Sequence, residues 1–219
     1  IGLDNLVKCW GSSASATPPV DLGAASQIAL AENIACAIKQ SNSNLVCWGT
    51  YQDSEDNRQS AQGLSGLGAV KAIAMGGQLG CAIKQSDSKI RCWKWSGVEV
   101  SMPSDLAAAS QVAMGTVGAD IDYPEVCIIT APAGGIQCLS GVPGDSSNSM
   151  GWQADSLPTD VYLKKGKGVT IKQITLGQGY GCFIYIPNSG GLADCWAQDS
   201  LDDREVINAP SYKGVTSIA

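Results

Sequence analysis

Short apolar runs alternate with clusters of Gly, Ser, Asn and Asp along the whole chain, and they recur in a fixed order. One series reads Gln27-Ile-Ala-Leu30, Ala72-Ile-Ala-Met75, Gln111-Val-Ala-Met114 and Gln173-Ile-Thr-Leu176, with Ser217-Ile-Ala219 as a partial last copy. A second reads Cys36-Ala-Ile38, Cys81-Ala-Ile83, Cys127-Ile-Ile129 and Cys182-Phe-Ile184. The third is Cys9-Trp10, Cys47-Trp48, Cys92-Trp93 and Cys195-Trp196, with Cys138-Leu139 as a diverged copy and Gly11 and Gly49 following the first two. Apolar runs this short, bounded by turn residues, read as β-strands. The Ala-rich stretch from Leu22 to Gln40 has helical propensity of its own. Its counterpart from Val169 to Ile186 is built of Val, Ile, Thr, Tyr and Gly, which favour strand and turn. Copies of one repeat share one structure, so both are expected to be strand-turn-strand.

Spacing inside each unit is tighter than spacing between units. Cys36 and Cys47, Cys81 and Cys92, and Cys127 and Cys138 are each 11 residues apart, and Cys182 and Cys195 are 13 apart. In an antiparallel hairpin an odd separation lets the two cysteines face each other. Counting inward from Cys36 and Cys47 leaves a two-residue turn at Ser41-Asn42, and the second and fourth units give Ser86-Asp87 and Asn188-Ser189. The third unit has Pro132-Ala133 there, with Gly134 next. These are the residues tight turns select. Facing Cα atoms in such a hairpin are within disulfide range, and each bridge would contribute about 2–4 kcal/mol. Four bridges imply an oxidising compartment, hence a secreted or cell-surface protein. A zinc site is disfavoured, because CxxC pairs are missing and the chain has no His.

Each unit offers strand-like stretches around the QIAL, CAI and CW motifs, followed by a polar loop such as Thr50 to Ala61. Repeats of about 40–45 residues carrying about four strands are the signature of a β-propeller blade. The segments CAIKQSNSNLVCWG and CAIKQSDSKIRCW resemble RCC1-like repeats, and among those the cysteine-containing extracellular branch typified by Crinkly4 receptor ectodomains. The expected fold is therefore all-β: an RCC1-like propeller with about five repeats, each blade closed by one disulfide. Repeat cores fall near 1–11, 27–49, 71–93, 111–139, 173–196 and 215–219, as one propeller domain or a segment of a larger repeat array. Four repeats are complete and the fifth is split between the termini. The glycine-rich segment that usually follows CWG in such repeats is replaced by polar stretches such as Gly11 to Pro19. Chromatin and GTPase-exchange roles of nuclear members need loops and a basic surface that do not match here.

Cys9 breaks the pattern, because its partner would lie before residue 1. Ile218 matches Ile28, Ile73 and Ile174, so the chain stops short of the next cysteine strand. Three readings stay open: a fragment of a longer array, a ring closed by the C-terminal strand with Cys9 unpaired, or a strand supplied by a neighbouring chain.

Composition narrows the chemistry. Net charge is −6, and the nearest approach to a basic cluster, Lys164-Lys165-Gly-Lys167, reads as a solvated loop, so nucleic acid is not an expected partner. No apolar run reaches the roughly 18 residues of a membrane helix, so no membrane insertion is expected within this segment. Without His, Ser-His-Asp and Cys-His catalysis are excluded. Carboxylates remain: Asp53, Glu55 and Asp56 with Asn57; Asp120, Asp122 and Glu125; Asp202, Asp203 and Glu205. They read as loop acids that keep the protein soluble, with glycoside hydrolysis and calcium binding at Asp53, Glu55 and Asn57 as weaker readings. No catalytic residue, metal or cofactor is assigned. The repeat Trp residues at 10, 48, 93 and 196 are expected in the core. Tyr51, Trp95 and Trp152 fall in loops and are the candidate ligand or partner contacts.

The function expected is a non-catalytic extracellular structural or recognition module of a larger secreted or cell-surface protein or assembly. Its partners would be extracellular proteins or copies of itself, with glycan binding and carboxylate-dependent glycoside hydrolysis as alternatives. Alkylation under denaturing, non-reducing conditions followed by mass spectrometry should label one cysteine, Cys9. Labelling at any of the other eight would remove that pair from the scheme.

Overall fold

The computed structural model describes residues 2, 4–53, 55–116, 124–132, 134–143, 150–154, 170–186, 192–198, 204–205 and 212–213. They form four antiparallel meanders. The first comprises β1 (Ala25–Ala31), β2 (Ile34–Lys39), β3 (Leu45–Gln52) and β4 (Arg58–Ser60), in that order. The second comprises β5 (Val70–Gly76), β6 (Leu79–Lys84), β7 (Ile90–Lys94) and β8 (Glu99–Val100). The third holds β9 (Ala109–Thr116), β10 (Pro124–Thr130), β11 (Ile136–Pro143) and β12 (Met150–Ala154). The fourth holds β13 (Thr170–Leu176), β14 (Tyr180–Ile186), β15 (Leu192–Gln198) and β16 (Arg204–Glu205), and β17 (Tyr212–Lys213) pairs with the other end of β15. First strands are neighbours in series: β1 packs beside β5, β5 beside β9 and β9 beside β13. Four-stranded sheets arranged this way around their first strands are propeller blades.

The Ala-rich stretch is strand, as its counterpart in the fourth blade required. The polar loop expected from Thr50 to Ala61 is instead a hairpin, since β3 runs on to Gln52 and pairs with β4. Its alternation is polar on both sides, so hydrophobic patterning does not mark it.

Cys36 faces Cys47, Cys81 faces Cys92, Cys127 faces Cys138 and Cys182 faces Cys195, and each pair is bridged at Cα separations of 4.0–4.1 Å. The turns differ from the two-residue expectation. In the first blade the Ser43 N–H donates to Lys39 O at 2.9 Å, and the Lys39 N–H donates to Asn44 O at 2.9 Å. The loop is thus four residues long, Gln40 to Ser43, closed by an i to i+4 bond. Its last residue takes the left-handed conformation: φ is 59° at Ser43, 59° at Ser88 and 64° at Gly134 in the three blades where the loop can be followed. The turn at Asn188-Ser189 lies outside the described residues. The left-handed residue turns its carbonyl towards the next blade. Ser43 O accepts from the Val70 N–H at 2.8 Å, Ser88 O from Ala109 at 2.8 Å and Gly134 O from Ile171 at 3.2 Å.

Blades stack through two chemically different faces. Side chains alternate along a strand, so each cysteine strand presents Cys and Ile on one face, while the other carries the residue that faces the Trp, small in the first, second and fourth blades (Ala35, Gly80, Gly181) and Val126 opposite Leu139 in the third. Ile34, Cys36 and Ile38 of the first blade pack on Ile73, Ala82 and Trp93 of the second. Cys81, Ile83 and Cys92 then pack on Val126, Ile128 and Leu139 of the third, and Cys127, Ile129 and Cys138 on Phe183, Tyr185 and Trp196 of the fourth.

The diverged Leu139 is explained at this interface. Register places Trp48 opposite Ala35, Trp93 opposite Gly80 and Trp196 opposite Gly181, whereas Leu139 faces Val126. A large ring lies over a minimal residue, and a smaller side chain over a larger one, so the pair keeps a similar volume. A Cβ on Gly80 would stand 2.6 Å from Trp93 Cζ2, with the ring closed in by the neighbouring blade.

Three of the four repeat Trp residues are in the core, at 7%, 0% and 1% exposure for Trp48, Trp93 and Trp196. Trp10 is the exception at 91%. Its core position in other repeats depends on a cysteine strand beside it and a blade across from it, and neither faces it among the described residues.

Gly80→Val should destabilise the protein by about 1–3 kcal/mol through overpacking, read from denaturant unfolding. Adding Trp93→Leu, which recreates the third blade's pair, should restore part of that loss. Additive single effects in the double-mutant cycle would refute volume matching.

Candidate recognition surface

Tyr51 and Trp95, singled out as loop aromatics, meet in one hollow between the first and second blades. Tyr51 lies on β3 and is half-buried, while Trp95 follows β7 and is only 6% exposed, its ring packed in the core shared by the two blades. Trp95 is therefore no free loop aromatic: tertiary packing covers most of it. The Trp95 carbonyl also accepts from the Gln62 N–H at 2.9 Å, tying the two blades together. Above these rings the hollow has a volume of about 300 Å³ and a polar rim that includes Glu32, Asn33, Gln52 and Arg58. The lining thus combines one acid, one guanidinium and amides with the edges of two aromatic residues. Such a set can stack on a flat apolar surface while exchanging hydrogen bonds.

The rim is positioned by local backbone constraints. Glu32 carries φ 46° in the β1–β2 turn. Gly49 carries φ 107°, and a Cβ there would fall on Asn33 O. This close approach accounts for the glycine after Cys47-Trp48 and lets the Thr50 N–H reach Asn33 O at 3.3 Å.

Asp53 holds the hairpin that carries Tyr51 and Arg58. Its Oδ1 accepts from the N–H groups of Glu55 at 3.0 Å and Asn57 at 2.9 Å, and its Oδ2 accepts from Gln59 Nε2 at 2.9 Å. The Gln59 amide, then the Asn57 backbone, hold the Asp53 carboxyl below its ordinary value. Both oxygens have turn-stabilising partners, so Asp53 acts as the organiser of this turn.

The other candidates are dispersed. Trp152 sits half-buried on β12 against the core of the second and third blades, and its Nε1 donates to Ser101 O at 2.9 Å. It does not join Tyr51 and Trp95. Glu125, on β10, is 1% exposed and lies beside the Cys127–Cys138 bridge. Those cysteines are oxidised and so are not thiolate ligands. Asp120, Asp122, Asp202, Asp203 and the Lys164-Lys165-Gly-Lys167 cluster lie outside the described residues, and of Glu205 only the backbone, in β16, is described. A second hollow of about 270 Å³ lies along β7 and β8, where Arg91 pairs with Glu99. That hydrogen bond lowers the Glu99 carboxyl below its ordinary value.

The QIAL motif also supplies two interblade glutamines that its apolar pattern does not announce. Gln27 Nε2 donates to Ile73 O at 2.9 Å and Gln27 Oε1 accepts from the Ile73 N–H at 3.1 Å, so one amide satisfies both backbone polar groups of a residue in the next blade. Gln111 Oε1 accepts from the Ile174 N–H at 2.8 Å in the same way. The motif's recurrence was a signal that could have led to them, but not to their partners.

No family model matches the chain, and no curated protein matches its sequence. Solved structures do resemble it. The CRINKLY WD40 ectodomain of the Arabidopsis thaliana receptor kinase ACR4 superimposes with a TM-score of 0.51 at 16% identity, over 86% of this chain and 57% of that one. Human WBSCR16 gives 0.58 at 14% identity, over 92% and 55%. The ectodomain of the Physcomitrella patens receptor kinase CR4 gives 0.52 at 18%, over 84% and 41%. The fold is thus that of a β-propeller, here with one disulfide in each described blade. The resemblance to Crinkly-type ectodomains read from the cysteine hairpins holds at the level of fold. The chain spans roughly half the length of these structures.

A group whose folded pKa is depressed contributes stability above its unfolded pKa and loses it as pH falls through the folded one. For Asp53 this contribution is complete at neutral pH and vanishes as pH falls below the ordinary carboxylate value of 3.8. Hydrogen exchange at the Glu55 and Asn57 amides should therefore speed up in Asp53→Ala at neutral pH, with the global unfolding midpoint nearly unchanged. Unaltered exchange there would remove Asp53 as the organiser of this hairpin.

Proposed function

We propose that this chain is a non-catalytic recognition and scaffold module of a larger secreted or cell-surface protein, and that it engages protein partners at the rim between its first and second blades. The observation that carries this reading is the hollow lined by Tyr51, Trp95, Glu32, Asn33, Gln52 and Arg58 between two disulfide-locked blades. Aromatic and Arg groups in a rigid setting are typical anchors of protein interfaces. Bridges in every described blade support an oxidising, extracellular setting, and the Crinkly-type ectodomains are themselves parts of receptor kinases.

Catalysis is not part of this reading. Asp53 is engaged in a turn and Glu125 is enclosed in a sheet, so neither presents a carboxylate to a cleft as glycoside hydrolysis requires. The two aromatic residues beside Asn33, Gln52 and Arg58 favour glycan recognition as the second reading, since sugars stack on rings and bond to amides.

Screening the chain against a panel of extracellular domains and a glycan array should give binding that Tyr51→Ser with Arg58→Glu weakens by about tenfold, roughly 1.4 kcal/mol, under conditions where circular dichroism shows the variant folded, and that Arg58→Glu alone also weakens. Hits confined to glycans and lost in the same variant would select the second reading. Binding indifferent to both substitutions would place the interaction elsewhere.

A further inference from the structure

The N-terminal segment has the conformation and packing of a third blade strand, and its second-strand neighbour is missing among the described residues. Counting back from the cysteine, Asn5 corresponds to Ser43, Ser88 and Gly134. It shares their left-handed conformation, with φ 59°, and its carbonyl accepts from the Ala25 N–H at 2.8 Å as theirs do from the next blade. Gly11 corresponds to Gly49, and the two have φ of 117° and 107°. Val7 and Cys9 pack on Ala35, Ala37 and Trp48, which is the contact every Cys–Ile face makes with the blade that follows it. The established blade–blade interface thus continues into this segment. No described strand pairs with its other edge: Cys9 is a free thiol, and Trp10 is 91% exposed where its counterparts at 48, 93 and 196 are covered.

We infer that residues 5–11 form a docking edge for one antiparallel β-strand of the pattern small–Cys–x–Ile, supplied by a further repeat of this same kind and fixed by a disulfide to Cys9. The repeat register specifies the occupant. Cys faces Cys, the residue before it faces Trp, and the Ile two positions after it faces the residue two before the partner cysteine. A cognate strand therefore sets its small residue against Trp10, its Cys against Cys9 and its Ile against Val7. The β2, β6, β10 and β14 strands already pair with their own cysteines, so none of these four is the occupant. Main-chain hydrogen bonds supply affinity in such strand addition, and alternate side chains supply selectivity. The inference rests on the proposed reading of the chain as a module of a larger assembly, and it names the chemistry of the joint.

The test uses the 219-residue chain and a peptide with the sequence from Gly77 to Gln85. The peptide cysteine is carried as a mixed disulfide with thionitrobenzoate. Attack by the Cys9 thiolate on the peptide sulfur forms the Cys9–peptide disulfide and releases the thionitrobenzoate anion, whose absorbance reports the rate. The cognate peptide should couple about tenfold faster than a shuffled peptide with one cysteine, because docking raises the effective concentration. A peptide carrying Gly80→Trp should lose the advantage, and so should the Trp10→Ser chain, whose circular dichroism should be unchanged because the side chain is exposed. Tyr51→Ser with Arg58→Glu should leave the coupling rate unaffected, which separates failure here from failure of the recognition surface. Equal rates for all peptides, no coupling at Cys9, or preferential Cys9–Cys9 dimers would each overturn the inference.

Discussion

The arrangement of this molecule depends on one contact made repeatedly: the Cys–Ile face of one blade set against the Trp-bearing face of the next. The contact works because a disulfide fixes hairpin register at its centre. A slip of one residue would send every side chain to the opposite face. With the cysteines joined, the Trp must point away from its own bridge and towards the preceding blade. The ring then needs room, and the residue across the strand provides it. Trp over Gly or Ala, and Leu over Val, are two solutions to one volume constraint. The same constraint leaves little freedom in the core.

Polar groups lock this stack laterally. The left-handed residue at the loop end of the first three blades bonds to the first strand of the next blade, and two of the QIAL-series positions use a glutamine amide for a second bond. In the second blade the equivalent position is Ala72, so that kind of glutamine bond is not general. Interblade cohesion is therefore mostly apolar with a few directed hydrogen bonds. That combination suits repeats that must tolerate loops of different lengths. Spacing between successive copies of the Cys-Trp motif, the diverged Cys138-Leu139 included, varies from 38 to 57 residues while the stacked core is kept.

The hollow at Tyr51 and the open edge at Trp10 follow from opposite properties of the stack. The first exists because two complete blades meet and their outer turns leave a gap. The second is the edge of the segment around Cys9, against which no described strand is paired. Surface chemistry at the hollow is mixed and shallow, whereas the edge has the periodicity of the core itself. An edge with core periodicity selects its complement by register as well as by hydrophobicity.

Much of this was legible in sequence because it is local and periodic. Cysteine spacing determined the facing pairs, and the repeated CAI and CW motifs determined strand, blade and fold class. Sequence comparison between copies also overruled the helical propensity of Leu22 to Gln40. What stayed hidden depends on neighbours distant in the chain. The loop after Lys39 closes by an i to i+4 bond, and residue type alone does not separate that from a two-residue turn. Trp95 is covered by the blade beside it, Gln27 finds its partner at Ile73, and the strand around Arg58 has no apolar face to announce it. Trp10 has the same sequence context as Trp48 and opposite exposure. Sequence decided which face each residue joins, because alternation and disulfide register are properties of one hairpin. Only the tertiary structure decided which faces are covered, because that depends on what stands across from them.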